Sequence, residues 1–232
     1  METVYNEYKA GFPGILFAGI GSLGKICEIK EETHAERIVI LVDRAVKDLP
    51  FVKEQLNNLG ESLVGILEDI PPEPTRDSIH GIYEAVKELD GQLMIAIGGG
   101  SVMDMTKIVA AAMNNEEFAA DGFRNPALIH RKAVPTVMIP TTAGTGAEAT
   151  PNAIFLVTEQ ELKVGVVSNT FVASYVILEP RLTEKLPKAL TASTGIDALC
   201  HAVESYLSVM ANPVSRVFFL RAASLIAQNI EK

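Results

Sequence analysis

Five short apolar runs, rich in valine and isoleucine, recur through the first 140 residues of the 232-residue chain. Because each run is apolar throughout rather than alternating, it predicts a strand that helices cover on both faces of a sheet. Between the runs lie helical patterns such as residues 77–90, in which Ile79, Ile82 and Val86 recur at helical spacing. This alternation predicts an α/β fold with a doubly wound parallel sheet. The predicted strands are residues 14–19, 37–43, 62–67, 93–98 and 135–140.

The chain changes character from about residue 183. Residues 152–178 predict further strands, or a hairpin that returns the chain, whereas the residues from about 183 onward show no strand pattern. Asn212 before Pro213 is typical of a helix start. We therefore predict an α/β domain over residues 1–182 and the first helices of an incomplete all-α domain over residues 183–232. A segment of that length cannot build a core of its own.

Composition and charge exclude several classes of protein. The formal charge of −9 argues against a nucleic-acid surface, since such surfaces are basic. No apolar run reaches the ~18 residues that a membrane helix needs, and METVYNEYKAGF lacks the basic and apolar parts of a secretory signal. Two cysteines, Cys27 and Cys200, are too few for a disulfide framework. We expect a cytoplasmic protein without membrane or nucleic-acid partners.

Two glycine-rich segments are candidates for binding a dinucleotide. GIGSLG (residues 19–24) has the spacing G-x-G-x-x-G after a predicted strand, and Asp43 follows at the distance of a ribose-binding carboxylate. Such glycines also form plain tight turns, and Asp43 can serve a different loop. IAIGGGSVMDMTK (residues 95–107) is the stronger signal, because three glycines join a buried strand to a helix whose N-terminus favours a phosphate. A turn without a ligand is the alternative.

Two other segments each allow two interpretations. PTTAGTGAEAT (residues 140–150) follows the last predicted strand, so its threonines can line a cofactor or belong to an irregular loop. In GIDALCHAVESYL (residues 195–207), Asp197 and His201 are four residues apart and share one face of a predicted helix. The pair can bind a metal or form a surface ion pair, and a protein metal site usually has three or four protein ligands.

Four motifs together indicate one family. GGGSVMDMTK (98–107), PTTAGTGAEATPNA (140–153), Lys163 in ELKVGVV and TASTGIDALCHAVESY (191–206) resemble the iron-dependent, or group III, alcohol dehydrogenases in order and spacing, over essentially the whole chain. The resemblance implies a Rossmann-like domain followed by helices, in a dehydroquinate synthase-like architecture. It also implies hydride transfer between a primary or secondary alcohol and NAD(P), with a divalent metal polarising the alcohol or carbonyl oxygen.

The same resemblance implies roles for individual residues. Asp43 would face the adenosine ribose, which favours NAD over NADP because a carboxylate repels a 2′-phosphate. Lys163 would lie near the nicotinamide ribose, and Asn152 would face the substrate pocket. Asp197 and His201 match the first two ligands of Fe(II), with Zn(II) as the alternative. The other implied cofactor positions are Gly98, Gly99, Gly100, Ser101 and Asp104 in the glycine loop and its helix, and Thr141, Thr142 and Thr145 along the nicotinamide half.

The chain departs from the family pattern in three respects. The family's other two metal ligands are histidines that would follow residue 232, so we expect a truncated chain with an incomplete metal site. Glu73, in DIPPEPT (69–75), stands where many relatives have a small amide, and Met105 replaces a small residue. We expect a homo-oligomer, a dimer, that acts on a small alcohol, aldehyde or ketone. We also expect the last helices to expose apolar residues that drive association, namely Leu199, Val203, Phe218, Leu220, Leu225 and Ile226.

Two alternative functions stay open. A dehydroquinate synthase-like cyclase would share the architecture, but it would want basic side chains for a phosphate substrate, and PTTAGTGAEATPNA has none. A non-catalytic nucleotide-binding protein is favoured if the metal site is never completed, since two ligands leave a divalent ion mostly in water.

Overall fold

The computed structural model describes residue 7, residues 11–158 and residues 161–230. Within these residues the chain forms eight strands and eight α-helices. The strands are β1 (Ile15–Ala18), β2 (Ile38–Val42), β3 (Leu63–Leu67), β4 (Leu93–Gly98), β5 (Thr136–Pro140), β6 (Asn152–Val157), β7 (Leu162–Val167) and β8 (Tyr175–Leu178). The helices are α1 (Lys25–Thr33), α2 (Arg44–Lys47), α3 (Pro50–Asn58), α4 (Arg76–Glu88), α5 (Gly100–Met113), α6 (Glu116–Ala120), α7 (Lys188–Leu207) and α8 (Pro213–Asn229).

The main sheet has six parallel strands in the order β1-β8-β5-β4-β2-β3. Its first five strands along the chain lie within the five predicted apolar runs, and every residue of β2, β4 and β5 is buried. Strands β6 and β7 form a separate antiparallel pair, which is the hairpin that the sequence predicted. The prediction of a doubly wound α/β fold is therefore confirmed.

Helices cover both faces of this sheet, which explains why its strands are apolar on both sides. Val39 and Leu41 of β2 face a core that is completed by α4, α5 and α6, whereas Ile38 and Ile40 face a second core completed by α1 and α3. Burying one such side chain contributes about 1.5–3 kcal/mol. The packing of the two cores fixes the strand order, and with it which loops lie together at the carboxyl ends of the strands.

Helices α7 and α8 pack against each other but bury little. The side chain of Asn212 accepts hydrogen bonds from the N–H groups of Val214 and Ser215, so α8 begins as Asn212-Pro213 predicted. Among the described residues of the two helices only Ala202 is buried. Of the six apolar residues expected at the surface, four are exposed and two, Leu199 and Ile226, are half-buried; the exposed four are Val203, Phe218, Leu220 and Leu225.

Candidate functional site

The sheet changes direction between β2 and β4. From β2 the chain moves outward to β3 and then crosses back to β4 on the other side of β2. Open parallel sheets bind ligands beyond the carboxyl ends of strands at such a point. Asp43 directly follows β2, and its N–H donates to the carbonyl of Ile97 in β4 at 2.9 Å. The predicted ribose-binding carboxylate therefore lies beside the predicted phosphate loop.

The glycine loop joins β4 to α5 without left-handed backbone. A Cβ on Gly98 would lie 2.5 Å from Cγ2 of Val102, and a Cβ on Gly100 would lie 2.9 Å from Cγ2 of Thr145. Close packing therefore requires glycine at both positions. Gly99 precedes the helix as its N-cap and is half-buried. The N–H groups of the first turn of a helix have no partner within it, and the helix dipole favours an anion there. The loop can therefore hold a phosphate.

The threonine-rich loop lies against the glycine loop. The N–H of Thr141 donates to the carbonyl of Gly98 at 3.0 Å. A Cβ on Gly99 would lie 3.4 Å from Oγ1 of Thr142. Together with the contact between Gly100 and Thr145, these distances bring the three predicted threonines to one side of the N-terminus of α5.

Lys163 also lies near this helix N-terminus. Its Nζ pairs with Oε1 of Glu73 at 2.6 Å, and Oγ of Ser101 donates to the carbonyl of Pro72. These residues border a cavity of about 220 Å³, which Gly100 and Thr145 also line. Lys163 and the glycine loop, which are far apart in the sequence, thus meet at one cavity.

Asp104 and Lys107 of α5 form a buried ion pair, 3.4 Å between Oδ1 and Nζ. The other oxygen of Asp104 accepts from the N–H of Ile154 at 3.1 Å, and Lys107 donates to Oγ1 of Thr150 and to the carbonyl of Asn152. Burial lowers the pKa of Lys107 and raises the pKa of Asp104. Both carboxylate oxygens of Asp104 are thus used inside the protein, where they fix the helix to β6.

Lys107 was not singled out in the sequence, although a signal was present. A lysine three residues after Asp104, within the apolar segment that follows, indicates a buried ion pair rather than a solvated charge. Through its bond to the carbonyl of Asn152 at 2.8 Å, it positions the backbone of the predicted substrate-facing residue. Asn152 itself is half-buried at the start of β6.

The first glycine segment, residues 19–24, is filled from within the protein. Gly19 and Gly21 have φ of 123° and 89°, which favours glycine, and the turn is tight as one interpretation predicted. Oε2 of Glu179 accepts from the N–H of Gly21 at 2.8 Å and from the N–H of Leu23 at 3.4 Å. Arg181 pairs with the same carboxylate, and chiefly its hydrogen bonds lower the pKa of Glu179 from 4.5 to about 2. Glu179 thus takes the place that a phosphate would need.

The predicted metal ligands lie on α7. Nδ1 of His201 is 3.8 Å from Oδ2 of Asp197, and the two side chains are 52% and 44% exposed. They therefore share one helix face, as the i, i+4 spacing predicted. No group of three or more histidine, cysteine or acidic side chains that could hold a metal occurs among residues 7, 11–158 and 161–230. The donor atoms fit Fe(II) or Zn(II), but they amount to half of a protein site.

A cleft of about 510 Å³ separates the threonine-rich loop from α7 and α8. Glu148 lines it from the loop, and Thr191, Thr194 and Leu225 line it from the helices. Burial raises the pKa of Glu148. A Cβ on Gly144 would lie 2.8 Å from Cβ of Thr194, so loop and helix pack closely at one end of the cleft. The cleft therefore joins the cofactor-side loop to the helix that carries Asp197.

Comparison with known proteins identifies the family of this chain. The family model for iron-containing alcohol dehydrogenase matches residues 13–180, and the model for the C-terminal part of the Fe-containing alcohol dehydrogenase family matches residues 191–232. The first match covers more than half of the chain, so the chain belongs to the iron-containing alcohol dehydrogenase family.

Individual relatives are similar over nearly all of the chain. It is 37% identical over 216 residues to sulfoacetaldehyde reductase of Bilophila wadsworthia and 29% identical over 216 residues to NAD-dependent methanol dehydrogenase of Bacillus methanolicus, in each case over 92% of this chain and 56% of the relative. An alcohol dehydrogenase structure from Oenococcus oeni superposes with a TM-score of 0.88 at 30% identity and covers 97% of this chain and 59% of that one. The chain thus spans little more than half of these relatives.

Among the described residues, no helix has the length and apolar character to cross a membrane.

Proposed function

We propose that the complete protein is a metal-dependent, NAD-linked alcohol dehydrogenase that transfers hydride between a small alcohol and its aldehyde or ketone. The observation that carries this proposal is the convergence of two loops and Asp43 on the N-terminus of α5 at the switch point of the sheet. Residues 1–182 would form the dinucleotide-binding domain, and residues 183–232 would begin the helical metal-binding domain.

The cofactor would lie across the carboxyl ends of the strands. The first-turn N–H groups of α5 would bind the pyrophosphate, which would come closest to the backbone at Gly99. Asp43 would accept from the adenosine ribose hydroxyls and disfavour a 2′-phosphate. The three threonines and Lys163 would border the nicotinamide half. We place Asp104 behind the glycine loop, out of contact with the cofactor, since one of its oxygens accepts from Lys107 and the other from Ile154.

On the substrate side, Asp197 and His201 would hold Fe(II) or Zn(II) together with ligands from outside residues 1–232. The divalent ion held there would supply a Lewis acid for an alcohol or carbonyl oxygen, and the nicotinamide would supply the hydride chemistry. Asn152, whose backbone Lys107 holds, would orient the substrate. The supporting observation is the shared face of Asp197 and His201 on the helix that borders the cleft.

A second function has one observation in its favour. The described residues hold no group of three or more possible metal ligands, which supports nucleotide binding without catalysis as the second candidate function. Stoichiometric Zn(II) bound to the 232-residue chain, and lost in the variant His201→Ala, would exclude this second function.

We further propose a cytoplasmic homodimer. Cys27 and Cys200 form no disulfide, which suits a reducing compartment. The exposed apolar residues of α7 and α8 favour association. Light scattering of the purified protein measures this directly, and a monomer at micromolar concentration would contradict it.

Calorimetric titration with NAD tests the cofactor site. In the variant Gly99→Asp the new carboxylate would repel the pyrophosphate, so the affinity for NAD falls more than tenfold, although aspartate is a favourable N-cap and keeps α5 stable. Gly99→Asn is the matched control, with the same shape and no charge; its own loss measures the steric effect of a side chain at this position, and the further loss in Gly99→Asp measures the charge. An affinity for NAD unchanged in both variants would show that the loop does not hold a phosphate.

A second pair of titrations tests cofactor choice. Asp43→Asn keeps a side-chain oxygen for the N–H of Ala45, which Asp43 caps at 2.9 Å, but removes the charge. The affinity for NADP relative to NAD should therefore rise. An unchanged ratio would remove Asp43 from the ribose site.

A further inference from the structure

The segment that carries Glu73 is held on both sides. Before it, the carbonyl of Pro72 accepts from Oγ of Ser101; after it, the carbonyl of Pro74 accepts from the N–H of Leu156 at 2.7 Å. The backbone around Glu73 is therefore fixed to α5 and to β6, and its side chain extends from a rigid base.

Lys163, the partner of Glu73, is also held by its backbone. Lys163 stands opposite Leu156 in the antiparallel pair β6–β7, so both ends of the ion pair are anchored on the same hairpin. The 2.6 Å contact between Glu73 and Lys163 lies at the cavity of about 220 Å³ that Gly100 and Ser101 line. We name this ion pair the clasp.

The clasp does little for stability. Its two side chains are 61% and 59% exposed, and exposed ion pairs contribute little to folding because water and salt screen them. Its effect is local: the carboxylate of Glu73 neutralises an ammonium group that lines the same cavity as the N-terminus of α5, which is suited to anions. Glu73 thereby lowers the positive potential of the cavity.

We propose that Glu73 determines cofactor affinity by competing with the dinucleotide for the ammonium group of Lys163. This inference rests on the cofactor site proposed above, because it needs NAD to reach Lys163. Glu73 is a residue that acts through Lys163 rather than on the reacting atoms. Its removal leaves Lys163 available to the cofactor, so binding becomes tighter, whereas a glutamate that bound the ribose itself would have the opposite effect.

A double-mutant cycle on NAD affinity, measured calorimetrically at low ionic strength, tests the competition. We expect Glu73→Gln to tighten binding about two- to fivefold, the range of an exposed ion pair, and to have a clearly smaller effect in the background of Lys163→Met, where only direct repulsion between the carboxylate and the phosphates is removed. Raising the salt concentration should reduce the gain. Weaker binding, or the same change in both backgrounds, would overturn the inference. Glu116→Gln is the matched control, because Glu116 pairs with Lys87 at 3.0 Å in a similarly exposed ion pair away from this cavity.

A second measurement separates failure of the clasp from failure of the cofactor site. The rate at which an amine-acylating reagent modifies Lys163, followed by mass spectrometry without NAD, should rise in Glu73→Gln but not in Glu116→Gln. An unchanged rate would show that the clasp does not form, whatever NAD does. If the rate rises but the unaltered protein binds no NAD, the proposed cofactor site is wrong and the competition falls with it.

Discussion

Replacing Glu179 with glutamine removes a buried charge that joins the end of β8 to the first glycine segment. Its side chain is fully buried, and its two oxygens accept from the backbone N–H groups of Gly21, Leu23 and Arg181. They also accept from the guanidinium of Arg181 in a two-point contact, both distances being 2.8 Å. The guanidinium also lies 4.2 Å above the ring of Phe51. Because the glutamine side chain carries no charge, the variant would keep the shape and lose the charge-assisted bonds.

The magnitude follows from the pKa of Glu179. Its decrease from 4.5 to about 2 corresponds to about 3 kcal/mol of stability at neutral pH. Since the folded-state pKa lies below the unfolded one, this stability is fully present above about pH 5 and is lost as the pH falls toward 2. At pH 3.5 about 2 kcal/mol should remain. Glu179→Gln should therefore lower the free energy of unfolding by about 3 kcal/mol at pH 7 and by less at pH 3.5.

Urea unfolding followed by circular dichroism at both pH values measures this difference. The other carboxylates are common to both proteins, so their titration cancels in the comparison. A direct NMR titration of the Glu179 carboxyl carbon gives the same pKa without unfolding. Glu116→Gln is the control, and its effect should stay within about 0.5 kcal/mol. A pH-independent difference, or a pKa of Glu179 near 4.5, would refute the reasoning.

Three further predictions concern packing and charge. Gly98→Ala should cost about 1–3 kcal/mol of unfolding free energy, because the new Cβ would lie 2.5 Å from Val102; a melting temperature equal to that of the parent would contradict this. Lys107→Met should lower the free energy of unfolding by about 3 kcal/mol, because it leaves Asp104 without its buried partner. Adding Asp104→Asn should recover part of this loss. Urea unfolding of both variants measures the two values, and no recovery would argue against a buried pair. Leu220 is 58% exposed, so Leu220→Glu should reduce both the binding of a hydrophobic dye and the self-association measured by light scattering. Unchanged dye binding and self-association would show that the chains associate through another surface.

The sequence by itself determined the elements and the local chemistry of this protein. The apolar runs identified the strands of the sheet, because burial on both faces leaves an uninterrupted pattern. The Asn212-Pro213 start of α8 and the shared face of Asp197 and His201 also followed from the sequence. Such features depend on neighbours within about four residues, and the helical period fixes where those neighbours lie.

The tertiary structure alone decided which glycine segment is open. GIGSLG and GGGS both satisfy local rules for a phosphate loop, but Glu179 fills the first from 158 residues away in the sequence. In the second, Gly99 and Gly100 are half-buried and Gly100 lines a cavity at the switch point. The burial of Lys107 and the clasp between Glu73 and Lys163 were decided in the same way. Each is a contact between elements whose distance depends on strand order, and strand order is set by how two cores pack rather than by any local pattern.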